Sequence, residues 1–378
     1  MKSNLSSICD YRKEKIQVST LDLSTYISTE NMLPNRGGIT FAASLPTTSQ
    51  TQAFFKGDVL VSNIRPYFKK IWQATFDGGC SNDVLVFTAR QGVQNAFLYY
   101  ILSDDAFFDY AMATSKGTKM PRGDKTAIMN YQVPNFGEKE QKCIASILRS
   151  FDEKIELNNR INENLFLQLN ALYSQTCAEA VFHEKALGSL CQFQEGYVNP
   201  SQTHPEYFNG DIKWLRAVDI NESFIIETSR TLTQSGFQSA KKSAYLFPPD
   251  TIAISKSGTI GRLGIVGDFM CGNRAVINIK PNDPILLPFI FSFLKSRQNE
   301  FPELAVGSVQ KNLYVSLLEP LIVRMPDSDN LLKFCNSGNA ILNTIKNNCR
   351  SNILLRSLRD ALLPKLMSGE LNVSELDL

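Results

Sequence analysis

EKEQKCIASILRSFDEKIELNNRINENLFLQLNALYSQTC, residues 138–177, runs for 40 residues without a Gly or a Pro. At ~1.5 Å of rise per residue it can form a single helix of roughly 60 Å. A helix of that length needs a partner to cover its apolar stripe. The stripe is Ile144, Leu148, Phe151, Ile155, Asn158, Asn162, Leu165, Leu169 and Leu172, in alternating steps of four and three, the a/d spacing of a coiled coil. A second stretch keeps the same register through Ile341, Ile345, Asn348, Asn352, Leu355, Arg359 and Leu362. Pro364 is expected to end this helix or kink its last turn, and Gly338 to weaken its start. Two Asn occupy equivalent seam positions in each stretch. Seam Asn costs stability yet fixes register, because a misaligned partner buries an unpaired amide. The competing reading puts these Asn on a polar face, with the apolar residues merely capping a domain core.

Working outward, the chain repeats itself. FFKGDVLVSNIRPYFKKIWQATFDGGCSNDVLVF (54–87) lies over LFPPDTIAISKSGTIGRLGIVGDFMCGNRAVINI (246–279), setting Asp58 on Asp250 and Cys80 on Cys271. Near the same offset of about 191, FLYYIL (97–102) falls on FIFSFL (289–294), Gly117–Thr118 on Gly307–Ser308, and Ile155–Leu172 on Ile345–Leu362. Each half therefore reads as a mixed globular block followed by a helical block. GDVLVS, CSNDVLVF, DTIAIS and RAVINI are short β-rich runs bounded by turn residues, and FLYYIL and FIFSFL suit short buried helices. The pattern is α+β, with blocks at 1–137, 138–187, 188–326 and 327–378.

Composition narrows the class. At 378 residues the chain exceeds one ordinary domain and suits two or three. Its 43% hydrophobic and 20% charged residues match a globular protein rather than a disordered or fibrous one. The longest apolar stretch, PILLPFIFSFL (284–294), is about half a membrane span and holds two prolines, which excludes a transmembrane protein. MKSNLSSICDYRKEKI has no apolar leader core, so secretion is not expected. The eight Cys lack CxxC spacing and read as reduced thiols of a cytoplasmic protein without disulfides. Net charge is only +2, so a nucleic-acid partner does not follow from bulk electrostatics. Residues 1–137 carry 14 Lys+Arg against 11 Asp+Glu and residues 138–187 carry 6 against 8, so any basic surface must be local.

Catalytic ingredients are missing. His183 and His204 are the only histidines, without HExxH or paired CxxC, so no metal site is expected. His183 is expected near the end of the long helix and His204 in the loop NPSQTHPEY, both at the surface. SGTIGRLGIVG (257–267) superficially resembles a phosphate loop, but no GK[ST] follows, and a turn between two strands explains it better. Neither NPPY nor DPPF occurs. Asp152-Glu153-Lys154 has nuclease-like letters but is read as a solvated charge run on the exposed side of the helix.

The succession of globular block, long helix, globular block, long helix resembles the specificity (S) subunit of Type I restriction–modification enzymes. VPNFGEKEQKCIASILRSFDEKIELNNRINENL (133–165) is similar to the family's first conserved helix. FPPDTIAISKSGTIGRLGIV (247–266), GSVQKNLYVSLLEPLIV (307–323) and GTKMPRGDKTAIMNYQVP (117–134) are similar to its target-recognition-domain pattern. The second helix departs from that family in carrying Asn339, Asn343, Asn347 and Asn348. The resemblance implies two α/β target recognition domains separated by two long helices that form an antiparallel coiled coil, with a pseudo-twofold internal repeat. It implies a non-catalytic chain that binds double-stranded DNA, each domain reading one half of a split sequence. It also implies two docked methyltransferase (M) subunits that hold the S-adenosylmethionine, and restriction/translocase (R) subunits completing the complex. Related domains on such a helix pair would place their half-sites about one turn of duplex apart.

DNA contacts in such domains are expected from Arg, Lys, Asn, Gln and Ser on loops beside the strands. The first domain offers Arg65, Lys69 and Lys70, interleaved with Tyr67, Phe68 and Trp72, and then Lys116, Lys119, Arg122 and Lys125. The second offers Lys256, Ser257 and Arg262, then Asn273 and Arg274, then Gln310, Lys311 and Asn312. Ordinary solvated surface cations are the plain alternative for any one of them. The rival class for the whole chain is a tandem-repeat coiled-coil scaffold that binds other proteins without reading DNA.

Overall fold

The computed structural model describes residues 2–179, 182–307 and 310–373. It divides into two compact units, 1–154 with 355–378, and 155–354. Both boundaries fall inside long helices, so each unit owns one globular block together with parts of both helices.

In the first unit a sheet runs in the order Cys9–Tyr11, Val84–Ala89, Val59–Ser62, Ile71–Gln73, antiparallel throughout. In the second, Cys191–Glu195, Val276–Pro281, Thr251–Ser255 and Leu263–Val266 repeat that order, and Phe224–Ile225 adds a parallel edge. The four runs read as β-rich in the sequence thus lie beside one another in equivalent pairs. The repeated cysteines also match in pairing. Ile27 sits opposite Cys80, and Trp214 opposite Cys271, each in a parallel ladder. Burial pushes both thiols up to about 12, and all eight cysteines are free. The two short helices, Asn95–Ser103 and Leu287–Ser296, lie against these sheets with Phe97, Leu98, Phe289 and Ile290 fully buried or nearly so.

The first long helix spans Glu138–Glu179. Glu138 and Glu140 place negative charge at its positive end, and Glu140 Oε2 accepts from the Gly137 N–H at 2.8 Å. It ends short of the 187 expected from the sequence. Phe182–Ala186 is a strand paired antiparallel with Ile322–Pro326, just as Lys2–Asn4 pairs with Gln132–Pro134. His183 therefore lies on an exposed strand rather than at a helix end. The run FHEKA has three polar residues in succession and no two-residue period, so neither a strand nor a helix pattern marks it, and its pairing with Ile322–Pro326 decides it.

The second long helix spans Ser328–Ser368. Asp327 Oδ1 accepts from the Asn330 N–H at 3.1 Å, the geometry of an N-cap. The helix continues through Pro364, which contributes no N–H to the ladder. Gly338 lies well inside it and serves packing. A Cβ there would stand 2.6 Å from Pro288 Cβ and 3.2 Å from Leu169 Cδ1. Only glycine lets the helix come this close to the short buried helix and to the first long helix.

Each unit uses the helices as part of its core. Ile144 and Leu148 join Phe87, Phe97, Leu363 and Met367 in the first unit. Leu169, Ile341 and Ile345 join Ile252, Ile277 and Phe289 in the second. Within the second unit the seam also has a polar stretch. Asn158 Nδ2 donates to Asn352 Oδ1 at 2.8 Å, Asn348 Nδ2 to Asn162 Oδ1 at 2.8 Å, and Asn352 Nδ2 to Asn159 Oδ1 at 2.8 Å. The partners sum to nearly constant residue numbers, so the helices run antiparallel. Ile155 is buried here, while Phe151, Leu165, Leu172, Leu355 and Leu362 are half-buried.

Candidate nucleic-acid interface

In each domain one loop crosses the end of the central sheet and is closed by a pair of backbone hydrogen bonds. In the first, Lys116 and Arg122 exchange both bonds at 2.9 Å. In the second, Val306 and Asn312 do so at 3.0 and 2.9 Å. Gly117 and Gly307 both take positive φ at the turn into the loop. Ser308, matched to Thr118 in the sequence, lies outside the described residues.

The crossing loops are tethered to the strand ends that carry the other candidates. Arg65 N–H donates to Pro121 O at 2.8 Å and Gly123 N–H to Asn63 O at 3.2 Å. Equivalently, Leu313 N–H donates to Lys256 O and Lys256 N–H to Ala275 O, at 2.9 and 2.7 Å. Backbone bonding thus joins the Arg65 segment to the Lys116–Arg122 loop, and Lys256 to both Arg274–Ala275 and Gln310–Asn312. Ser257 and Arg262 lie in the turn between Thr251–Ser255 and Leu263–Val266, which is the strand-to-strand turn expected of the glycine-rich segment. Lys125 starts the helix Lys125–Met129, capped by Asp124.

Their charges are used differently. Lys69 Nζ lies 2.7 Å from Asp105, which also binds Arg36. Burial alone would raise the Asp105 carboxyl, but hydrogen bonds from Lys69 and Arg36 hold it below its ordinary value. Lys70 donates to Thr29 O at 2.6 Å, and burial lowers its pKa. Lys256 is held by Glu195 at 2.7 Å, with Nζ 4.7 Å from the centre of the Tyr314 ring. Lys116 pairs with Asp124 at 2.6 Å, and Arg122 with Asp83 at 3.1 Å. Asn273 Oδ1 accepts from the Ala275 N–H, and Asn312 Nδ2 donates to Gln310 O. Lys119, Lys125, Arg274, Gln310 and Lys311 are exposed. Among the described residues, the Lys119, Lys125, Arg274 and Lys311 side chains have no ion-pair partner. The first group orders the loops, and the cations of the second stand exposed on the surface.

Asn63 escaped the sequence reading. Its Oδ1 is buried beside Gly123 without a hydrogen-bond partner, and two residues on Arg65 Nε is likewise buried without one. Arg65 and Lys69 bracket the turn Pro66–Phe68 with left-handed backbone, φ 50° and 49°. Strain of this kind gathers at working loops. The polar pair Ser62-Asn63 ending an apolar strand was the available signal.

Asp152 is a correction in the opposite direction. It is half-buried and paired rather than solvated: Tyr100 Oη donates to Asp152 Oδ2 at 2.7 Å, and Arg359 Nη1 binds its other oxygen. Glu153 pairs with Arg149 along the helix. The letters Asp-Glu-Lys thus split between an interhelical ion pair and a solvated face. His204 is exposed, 2.8 Å from Glu206 and stacked on Tyr207. Among the described residues no helix is long and apolar enough to cross a membrane.

Two matching domains, each offering a tethered polar loop at one sheet end, define a duplicated recognition protein. The family model of the Type I restriction modification DNA specificity domain matches the chain twice, over residues 2–166 and 181–348, and the chain belongs to that family of specificity subunits. Its role is DNA-sequence specificity within a Type I restriction–modification system, and nothing favours the protein-scaffold reading. It is 25% identical over 314 residues to the MjaIX specificity subunit of Methanocaldococcus jannaschii, covering 76% of this chain and 71% of that one. It is 28% identical over 193 residues to the HindI specificity subunit of Haemophilus influenzae, covering 50% and 41%. The solved S subunit of a Type I system from M. genitalium shares the fold, with a TM-score of 0.56 at 18% identity over 97% of this chain and 96% of that one.

Proposed function

We propose that each domain reads one half of a bipartite duplex sequence through its crossing loop and the adjoining strand ends, and that the chain itself performs no catalysis. The long helices set the gap between the half-sites and dock two methyltransferase subunits. Those subunits supply S-adenosylmethionine, restriction/translocase subunits complete the assembly, and the whole works in the cytoplasm. The observation that carries this reading is the duplication itself: the same sheet order and the same closed loop occur twice in one chain. A reader built twice suits a sequence with two specified halves.

The test is selection from randomised duplexes by the chain assembled with its methyltransferase partner. Two short specified blocks separated by a gap of fixed length are expected. One contiguous block would contradict the proposal. Incubated alone with S-adenosylmethionine and DNA, the chain should transfer no methyl group; transfer by the chain alone would contradict its non-catalytic role.

A further inference from the structure

The two domains differ on the outer face of the central sheet. In the second, Cys191–Glu195 is an edge strand whose Phe193 packs towards the core, so Gln192 and Gln194 lie on the opposite face. Across the ladder from them stand Lys280 and Asn278. These four line a groove of about 830 Å³ together with Phe193 and with Glu195, whose carboxylate is already paired with Lys256, and Tyr197 and Tyr245, 48% and 57% exposed, border it. Asn278 is buried and fixed by donating to Thr251 Oγ1 at 2.7 Å. The amides of Gln192 and Gln194 and the ammonium of Lys280 have no partner among the described residues.

In the first domain the same place is filled. Arg12 stands where the second domain has Gln194, and Thr88 where it has Lys280. Arg12 Nη2 donates to Asp58 at 2.8 Å and to Thr88 Oγ1 at 3.0 Å, and its guanidinium lies 4.6 Å from the centre of the Phe55 ring. Asp250, the repeat mate of Asp58, instead binds Lys346 on the second long helix at 2.7 Å. The substitution of Gln for Arg and the diverted aspartate leave this place open in the second domain.

We propose that this groove binds a single nucleotide unit. A Gln amide presents a donor and an acceptor side by side, the complement of a base edge. Exposed tyrosine rings offer faces on which an unstacked base can lie. Lys280 supplies one point charge for a phosphate. The volume falls within the range of about 300–1,000 Å³ usual for small-ligand sites. A peptide added as a strand would bond the sheet's edge, whereas these polar groups stand on its face. A free nucleotide and an unstacked nucleotide of a DNA strand share this chemistry.

The test titrates the full chain with each of the four deoxynucleoside monophosphates. At least one should bind saturably. Gln194→Arg, which restores the residue of the first domain, should weaken that binding at least tenfold without moving the unfolding midpoint. Lys280→Glu, on an exposed side chain, should give the same loss and serves if Gln194→Arg does not fold. A single-stranded oligonucleotide that competes identifies a strand nucleotide as the occupant; one that fails to compete identifies the free nucleotide. Absence of saturable binding for all four, or binding indifferent to both substitutions, overturns the proposal. Either failure leaves duplex recognition by the crossing loops untouched.

Discussion

Asn158 donates its side-chain amide to Asn352 across the helix pair at 2.8 Å, and Asn348 makes the same bond to Asn162. Asn348 is the repeat mate of Asn158 and Asn352 that of Asn162, so one contact is made twice with the helices exchanged. Sliding either helix by one residue would bury these amides unpaired, which is how polar seam residues select a register.

Asn352→Ala removes the acceptor of Asn158 and the donor to Asn159 at a site only 3% exposed. Leaving a buried amide unsatisfied should cost about 1–3 kcal/mol. Replacing Asn158 and Asn352 together by Leu should cost less than the single Ala change, because no buried amide is left orphaned and the exposed Asn159 can turn to water. Urea denaturation of the three proteins checks the order.

Arg359 is bonded to Asp152, which also accepts from Tyr100. Burial opposes the guanidinium charge, but Asp152 and Asp360 hold its pKa above the usual arginine value. With side chains 16% and 29% exposed, the Arg359–Asp152 pair lies between surface and interior, so Arg359→Met should destabilise by about 1–3 kcal/mol. A double-mutant cycle with Asp152→Asn should show strong coupling. Additive losses would mean that the pair contributes nothing.

Asp105 gives a pH signature. Its folded carboxyl titrates below the unfolded value of about 3.9, so its contribution is fully present above that value. It is lost as pH falls through the folded pKa. Because Asp105 is largely exposed, the effect should stay within about 1 kcal/mol. Asp105→Asn should flatten the acid limb of the stability curve and leave stability at pH 7 slightly reduced, as read by thermal unfolding across pH.

Among the described residues Lys119 and Lys125 have no ion-pair partner, whereas Lys69 is engaged by Asp105. Replacing either free lysine by Ala should lower the log–log salt slope of DNA binding by roughly 1. Lys69→Ala should change that slope less and should loosen the turn at Pro66–Phe68 instead. Fluorescence titrations at several salt concentrations separate the two behaviours.

Much of this fold was legible because its signals are periodic. The seam announces itself through steps of four and three, and the duplication through equivalent Asp and Cys residues beside the matching strands. Asp152 was misread because a charge beside Glu153 and Lys154 looks solvated, and only the partner helix brings Arg359 to it. Gly338 looked like a weak helix start because the closeness of Pro288 is a tertiary fact. The candidate loops were legible by residue type, but not the division between Lys69, Lys70 and Lys256, which hold structure, and Lys119 or Arg274, which face outward. That division depends on carboxylates and carbonyls contributed from far along the chain.

The most direct measurement exchanges residues 188–326 for the equivalent block of another Type I specificity subunit and maps the sequence bound by the assembled complex. One half of the recognised sequence should change while the other half and the gap stay as they were. Alteration of both halves, or of neither, would contradict a chain built from two independent readers on a fixed helical spacer.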